Sequence, residues 1–415
     1  MANKEILILG AGPAGLAAAL ESKKLGNKPH ILTPTGEPGY RSVYTIFGEA
    51  SNGINKDLFP GTYKPLDDFY LITNEASVRV RTGSGFVVID YPQVIRCLEQ
   101  RLQEEERTEF FDSQTPMTIN DRADHVEVGI GGEKKEYDAL IDCSGGAAAT
   151  RTGENPIVEY VYGGLFRASL RKPEMIIAFV REIGGTCWIN PSISGEGYVD
   201  VVVSGWGRKN DTSRFMREGP ERLRVLKKFL EEKRIVNFAN KTPQVVFSGT
   251  IRSQLARSQG HKRIYAAGDA AGMARPKTGD GFRWAIYGGE MMARAIENGI
   301  SPDRALAQFY VGERAIWKEL FLQGATFYRL SKQQSGNFGT SVGPLGELIK
   351  KHHELQESAI NFFLNGGIDS KLLFALLEDS HFRGIMVGSF LAQLRFFIQG
   401  EKSLCPGYPF PETVL

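Results

Sequence analysis

Three glycines near the start of the chain, and a carboxylate with a glycine pair far downstream, are the residues best placed by type and spacing to do chemistry. Gly10, Gly12 and Gly15 stand in Gly10-Ala11-Gly12-Pro13-Ala14-Gly15. In such a turn the first glycine permits the tight bend and the second lets a pyrophosphate approach the backbone. The third lets the following helix pack on the strand. The downstream stretch is IYAAGDAAGMARPKTGDGFRWAIYGG, Ile264 to Gly289. There Asp269 ends an apolar run, a loop follows around Pro276, and Gly279-Asp280-Gly281 opens a helix at Phe282. A carboxylate at a strand end and a helix N-terminus make a polar cradle. It suits a ligand with a polyol chain and a planar, electron-poor ring: the carboxylate accepts hydrogen bonds from hydroxyls, and free N–H groups favour negative charge.

The elements that must position these residues are legible around them. Glu5–Leu9 is a continuous apolar run, the mark of a central parallel strand covered on both faces. It feeds the glycine turn, a helix Leu16–Leu25 and a second strand near His30–Leu32, which gives the GxGxxG pattern its strand–turn–helix setting. At the end of that second strand, where an acid usually binds ribose hydroxyls, stands Thr33; it offers a hydroxyl but no charge. Glu37 is a nearby substitute, and Arg41 is placed to lie along a pyrophosphate or simply to be an exposed loop residue. Ile264–Ala267 reads as a short buried strand leading to Asp269.

Between these ends the chain alternates strands and short helices. Val78–Arg81 and Phe86–Ile89 read as a hairpin turning at Thr82-Gly83-Ser84-Gly85. Tyr91-Pro92-Gln93 opens an amphipathic helix with Val94, Ile95, Leu98 and Leu102 on one face. His125–Val128 pairs with Glu136–Ile141 across Gly129–Gly132. A strand follows those glycines, so they make a hairpin and not a second nucleotide turn. The returning strand ends in Asp142-Cys143-Ser144-Gly145, small enough for its backbone to reach the same ligand. From 151 to 254 strands dominate (Met175–Val180, Cys187–Pro191, Tyr198–Val203, Val245–Gly249), with one helix over Glu221–Lys233. This predicts an antiparallel sheet walling a substrate cavity, with Trp188 and Pro191 upon it.

Beyond residue 300 helical spacing prevails, over Pro302–Ala325, Leu345–Phe363 and Lys371–Leu377. His352, His353, Glu354 and Glu357 sit on one of these helices without a third ligand, so a solvated face explains them better than a metal. Phe382–Ile398 is apolar enough to pack on the core, lie on a membrane surface or wall a greasy tunnel.

Composition excludes several classes. Of 415 residues 42% are hydrophobic and 24% charged, and the net charge is +2. These are the proportions of a globular protein with more than one domain, and they argue against dedicated nucleic-acid binding. Four dispersed cysteines without CxxC signal neither zinc nor a disulfide framework. No signal sequence or run of eighteen apolar residues is present, so the expectation is a reduced, cytoplasmic protein, with membrane-surface association left open.

The glycine turn and Gly268-Asp269, in this order and at this distance, resemble the flavoproteins of the p-hydroxybenzoate-hydroxylase type, across about residues 3–300. The resemblance implies that both motifs grip one FAD. Gly10, Gly12, Pro13, Ala14 and Gly15 would hold its pyrophosphate side and Thr33 its ribose. Asp269 would bond the ribityl chain, and Pro276 with Gly279, Asp280, Gly281 and Phe282 would line the isoalloxazine. Arg41 and Gln93 match positions near the pyrophosphate and ribityl group, and Met117 a backbone contact to adenine. Ser144 and Gly145, with Arg151 beyond them, resemble a degenerate middle motif of the group, with Ser144 where an Asp usually stands. Within the group, GDAAGMARPKTGDGF is similar to the geranylgeranyl reductase family. That family's Tyr-x-Trp-x-Phe-Pro motif is matched at Trp188 and Pro191, with Thr186 and Asn190 at the other two places.

The fold class expected is therefore α/β (α+β): a Rossmann-like FAD-binding domain, a mostly antiparallel substrate domain and a C-terminal helical region. The boundaries are 1–60, 90–150 and 255–300 for the first, 61–89 and 151–254 for the second, and 301–415 for the third. The activity implied is an FAD-dependent reductase that saturates C=C bonds of a prenyl or other apolar substrate, small molecule or lipid. No second dinucleotide fold is visible, so NAD(P)H binding transiently and ferredoxin both stand as reductants. No residue is singled out as proton donor. The rivals are a flavin monooxygenase or halogenase, a carotenoid-type cyclase, and a non-catalytic flavin- or lipid-binding partner protein.

Overall fold

The computed structural model describes residues 3–33, 44–47, 63–74, 77–102, 108–110, 117–147, 149–150, 157–171, 174–180, 182–183, 185–191, 197–208, 212–240, 242–252, 260–274 and 281–312, with 371, 374, 375 and 378. Its first ten strands are β1 (Glu5–Leu9), β2 (Lys28–Thr33), β3 (Tyr44–Phe47), β4 (Tyr63–Thr73), β5 (Ser77–Ile89), β6 (Thr108–Phe110), β7 (Met117–Asp121), β8 (Val126–Ile130), β9 (Glu133–Tyr137) and β10 (Ala139–Asp142). Then come β11 (Ile157–Leu170), β12 (Met175–Val180), β13 (Gly185–Pro191), β14 (Tyr198–Arg208), β15 (Val236–Phe238), β16 (Val245–Arg252) and β17 (Ile264–Ala266). The α-helices are α1 (Pro13–Lys24), α2 (Tyr91–Arg101), α3 (Thr212–Glu232), α4 (Phe282–Glu297) and α5 (Pro302–Gly312).

The α/β expectation holds. A five-stranded parallel sheet runs β17-β10-β1-β2-β6. Its strands are unbroken apolar runs because both faces are covered. Alternate residues divide between the two sides. Ile6, Ile8, Ile31 and Ile141 pack with α1 and α4, while Leu7, Leu9, Leu32 and Leu140 pack on Val126, Val128 and Tyr137 of the small β7-β8-β9 sheet. Each such side chain, fully buried, contributes about 1.5–3 kcal/mol of transfer free energy.

Helix α1 is alanine-rich because it is enclosed. Ala14 to Ala19 are all buried, between the sheet and α4. Two adjacent glycines in α4 make that approach possible. A β-carbon at Gly289 would collide with the Ala14 carbonyl oxygen, and one at Gly288 with the Met273 sulfur. Arg294 of α4 then pairs with the nearly buried Glu21 of α1 at 2.6 Å.

The second sheet follows the order β15-β11-β14-β13-β12-β4-β5-β3, with β16 also on β11. It is antiparallel except where β12 meets β4. Helix α3 covers one face, placing Leu223, Leu226 and Leu230 against Cys187, Ile189, Val201 and Val203.

Three expectations are corrected. Residues 78–89 do not form a hairpin: β5 is one continuous strand on β4, and the register passes from Leu66↔Phe86 to Asp68↔Arg81. Thr82–Gly85 is thus a bulge, the other common use of glycine in a strand. The strand expected over Glu136–Ile141 is divided. Glu133–Tyr137 closes the hairpin on β8 through the positive-φ pair Gly131-Gly132, and Ala139–Asp142 joins the parallel sheet instead. The long strand β11, which pairs with β14, β15 and β16, is absent from the sequence reading because two glycines and three charged or hydroxyl residues break its alternation. Tyr44–Phe47 also pairs into this second sheet, with β5. Among the described residues no helix is long and apolar enough to cross a membrane. The helix expected over 345–363, the apolar stretch 382–398 and the His352–Glu357 group lie outside the described residues.

Candidate functional site

The glycine turn between β1 and α1 has the geometry its residues imply. Gly10 adopts φ +102°, and a β-carbon there would lie 2.5 Å from the Cys143 carbonyl oxygen. Its N–H donates to the Leu32 carbonyl at 2.7 Å. A β-carbon at Gly15 would strike the Gly10 carbonyl oxygen. Gly12 is different: nothing lies within 4 Å of where its β-carbon would be. Gly12 is also the N-cap of α1, in extended conformation and with no side chain capping the helix. With Pro13 in the first turn, the helix start points its free N–H groups and positive dipole end into that space.

The downstream carboxylate comes to this turn. Gly268–Ala270 forms a 3-10 turn after β17, and a β-carbon on Gly268 would lie 3.1 Å from the Ala14 β-carbon of α1. The Gly268 N–H reaches the Met273 sulfur at 3.3 Å, which folds the turn on itself. Asp269 is half-buried between buried Gly268 and Ala270. Its Oδ1 stands 3.1 Å from the β-carbon position of Gly281, the N-cap of α4. Asp269, Gly281 and the head of α1 therefore converge, though far apart in sequence. Phe282, buried in the first turn of α4, meets Tyr91 edge-to-face at 6.0 Å. This brings in the start of α2, where Asp90 caps the N–H of exposed Gln93 at 3.1 Å.

Other residues fall around this centre in different ways. Thr33 is buried at the end of β2, paired in register with Phe110. Met117 opens β7 and packs half-buried against the far face of the parallel sheet with Leu9 and Leu32. The Ser144 hydroxyl is engaged within its own loop. It donates to Asp142 Oδ1 at 2.6 Å and accepts from the Ala149 N–H at 2.8 Å. Asp142 is fully buried and also holds the N–H and hydroxyl of Thr150. Its carboxylate therefore shapes the loop, and Gly145, at φ +69° with open space beside it, is the loop residue with room for a neighbour. Arg41, Pro276, Gly279, Asp280 and Arg151 lie outside the described residues.

Trp188 and Pro191 do not share a surface. The β13–β14 register runs without a shift from Cys187↔Val203 to Pro191↔Val199. Pro191 thus has the parity of Cys187 and Ile189, which face α3. Trp188 faces the other way and packs, half-buried, with Val161, Val202, Ile251 and Ala274. Ala274 follows the Asp269 turn directly, so the wall carrying Trp188 adjoins the converging glycines. Strand β16 also meets the Gly145–Ala147 turn, where a β-carbon at Gly146 would collide with Thr250, a residue of opposite strand parity to Ile251.

The sequence reading missed Gly288-Gly289, whose signal was an adjacent glycine pair inside an amphipathic helix. It also missed Glu159 and Ser204, buried at 1% and 0% exposure on the Trp188 side; the signal for Glu159 was a lone carboxylate in an apolar strand.

No protein-family model matches the chain, and no curated protein matches it. Solved structures do. A geranylgeranyl bacteriochlorophyll reductase-like protein of Thermoplasma acidophilum is 14% identical, with a TM-score of 0.62 over 91% of this chain and 96% of that one. The flavin-dependent halogenase CmlS is 16% identical, with a TM-score of 0.61 over 91% and 77%. A flavoprotein/dehydrogenase of Cytophaga hutchinsonii is 14% identical, with a TM-score of 0.60 over 94% and 99%. At such identities the likeness establishes the fold: a Rossmann-like α/β unit carrying an antiparallel sheet.

Proposed function

We propose that this chain is an FAD-dependent oxidoreductase that reduces C=C bonds of an apolar, prenyl-type substrate. One observation carries the cofactor assignment. The Asp269 turn and the N-cap of α4 abut the head of α1, and the direction left open there is that of Gly12. The residues present fit the group. The uncapped start of α1 suits a pyrophosphate, Asp269 suits a polyol, and the buried Thr33 hydroxyl stands at the strand end where a ribose is held. In this reading residues 1–60, 90–150 and 255–300 carry the cofactor, and 61–89 with 151–254 carry the substrate.

When bound and reduced, FAD supplies a hydride and holds negative charge on its ring. The chain's own part is to orient and enclose. The N-terminus of α4 at Gly281 places its positive dipole end beside Asp269, where ring charge is stabilised. Trp188, Val161, Val202 and Ile251 offer an apolar wall next to Ala274, which excludes water from the reacting atoms. An apolar substrate is supported by that wall and by the likeness to a geranylgeranyl reductase-like protein. NAD(P)H acting transiently is the simplest reductant, and a lipid substrate would bring the protein to a membrane surface.

Anaerobic turnover of photoreduced holoprotein with a geranylgeranylated lipid tests this, with saturated lipid as the expected product. A colourless protein that does not take up FAD overturns the cofactor assignment. A yellow protein that leaves every prenyl lipid unchanged, yet consumes oxygen with an aromatic substrate, favours a monooxygenase or halogenase. The likeness to CmlS supports that second reading.

A further inference from the structure

The wall carrying Trp188 contains an acid that the foregoing reading leaves unused. Glu159 lies in β11, directly opposite Ile251 of β16 and Trp206 of β14. It has the strand parity of Val161, and Val161 and Ile251 belong to one apolar cluster with Ala274. Glu159 therefore faces the seam between the antiparallel sheet and the Asp269 turn. Ser204, registered to Val161, is its diagonal neighbour on the same face. Both residues are buried, and neither Glu159 Oε2 nor Ser204 Oγ has a partner in good hydrogen-bond geometry among the described residues, although the Ser204 hydroxyl lies close enough to Glu159 to favour its ionised form. Buried polar atoms are nearly always bonded, and each orphan costs about 1–3 kcal/mol. The Ser204 hydroxyl is the one group that acts on the Glu159 carboxyl, and Glu159 Oε2, on the face beside the candidate cofactor cradle, is left open among the described residues.

The surroundings decide the charge state of the acid. Burial pushes the Glu159 carboxyl up to about 8, and the Ser204 hydroxyl beside it offsets this only in part. Its neighbours by register on that face are Val161 of its own strand, Ser204 of β14, and Ile251 and Gly249 of β16. The one described cation at this end of β16, Arg252, is registered to Val158 and so has the opposite parity. A carboxyl in such a place keeps its proton at neutral pH.

We propose that Glu159, seated beside Ser204, is the proton-holding group of the substrate wall and the proton donor for reduction of the double bond. This rests on the function proposed above. Saturating a C=C bond adds a hydride to one carbon and a proton to the other. With the hydride drawn from reduced flavin, which is thereby oxidised, the O–H bond of Glu159 breaks as the second C–H bond forms. The carboxylate left behind recovers a proton from water before the next cycle.

The test uses purified holoprotein as wild type, Glu159→Gln and Glu159→Asp. Infrared difference spectra between roughly pH 6 and 10 are expected to show a protonated carboxyl band that titrates near 8 and is missing from E159Q. Absence of that band from wild type overturns the proposal, whatever the substrate is. In single turnovers of photoreduced enzyme with a geranylgeranylated lipid, E159Q is expected to keep its flavin spectrum and lipid binding. Its saturation rate should fall about 10²–10⁴-fold, with partial recovery in E159D. Wild type should slow above about pH 8, and E159Q should lack that limb. An E159Q rate equal to wild type overturns the donor role. If wild type shows the band but leaves the lipid untouched, the prenyl reading falls and the proton-holding group stands.

Discussion

The two faces of the antiparallel sheet are built from the same strands and solve opposite problems. Beneath Leu223, Leu226 and Leu230 of α3 the packed residues are apolar or behave so: Cys187, Ile189, Val199, Val201 and Val203, with the buried Arg252 farther along the same face at the end of β16. Even the Cys187 thiol is driven far above its ordinary range by burial, so it packs as a small hydrophobe. On the Trp188 side, one residue along each strand, Glu159, Asn190, Asp200 and Ser204 are also buried. Among the described residues Glu159 Oε2 has no partner in good geometry, where a purely apolar face would carry no such group. The glycine turn repeats the contrast on a smaller scale: the chain itself fills the space beside Gly10 and Gly15 but not beside Gly12. In each pair the described residues fill one side and leave the other more open.

The largest effect expected is on the closed side. Leu226, fully buried, should cost about 2–5 kcal/mol when changed to alanine, read as a lower urea midpoint. A loss below about 1 kcal/mol would mean that α3 does not close this face.

On the other face the comparison sharpens with pH. An acid whose folded-state pKa exceeds its unfolded value binds its proton more tightly in the folded chain. The stability this gives is fully present below the ordinary value of 4.5 and is lost as pH rises through about 8. Wild type should therefore lose on the order of 5 kcal/mol at most across that window, and E159Q should not. Urea midpoints at matched pH values measure the difference, and parallel curves would break the comparison.

Gly15→Ala and Gly12→Ala form the next pair. The first forces a methyl group into the Gly10 carbonyl and should cost about 1–3 kcal/mol. The second enters open space at an N-cap and should cost about 1 kcal/mol or less, yet lower FAD retention at least roughly tenfold by obstructing the pyrophosphate. Retention after gel filtration, followed by absorbance, separates the two. Equal stability losses with equal retention would erase the distinction. The smallest effect belongs to Asp90→Ala, which removes the α2 cap and should cost about 1 kcal/mol by thermal denaturation, with the flavin spectrum unchanged.

Local patterns in the sequence were enough to specify β1, the glycine turn, α1, α2, β17 and the start of α4. In each case the signal is short-range: unbroken apolar runs, a proline or glycine at a helix start, or helical spacing of apolar residues. The same local logic misread Thr82–Gly85, because glycines in sequence do not distinguish a bulge from a turn; only the partner strand β4 does. It also grouped Trp188 with Pro191 as neighbours, although a strand sends residues three apart to opposite faces. What only the tertiary structure decided is which distant residues share a space. The approach of Asp269 to α1 depends on Gly289 letting α4 close on Ala14 and Gly288 leaving room for Met273 of the same turn, and the setting of Glu159 depends on the register of β11 with β14 and β16. Both are long-range packing relations, to which no window of neighbouring residues has access.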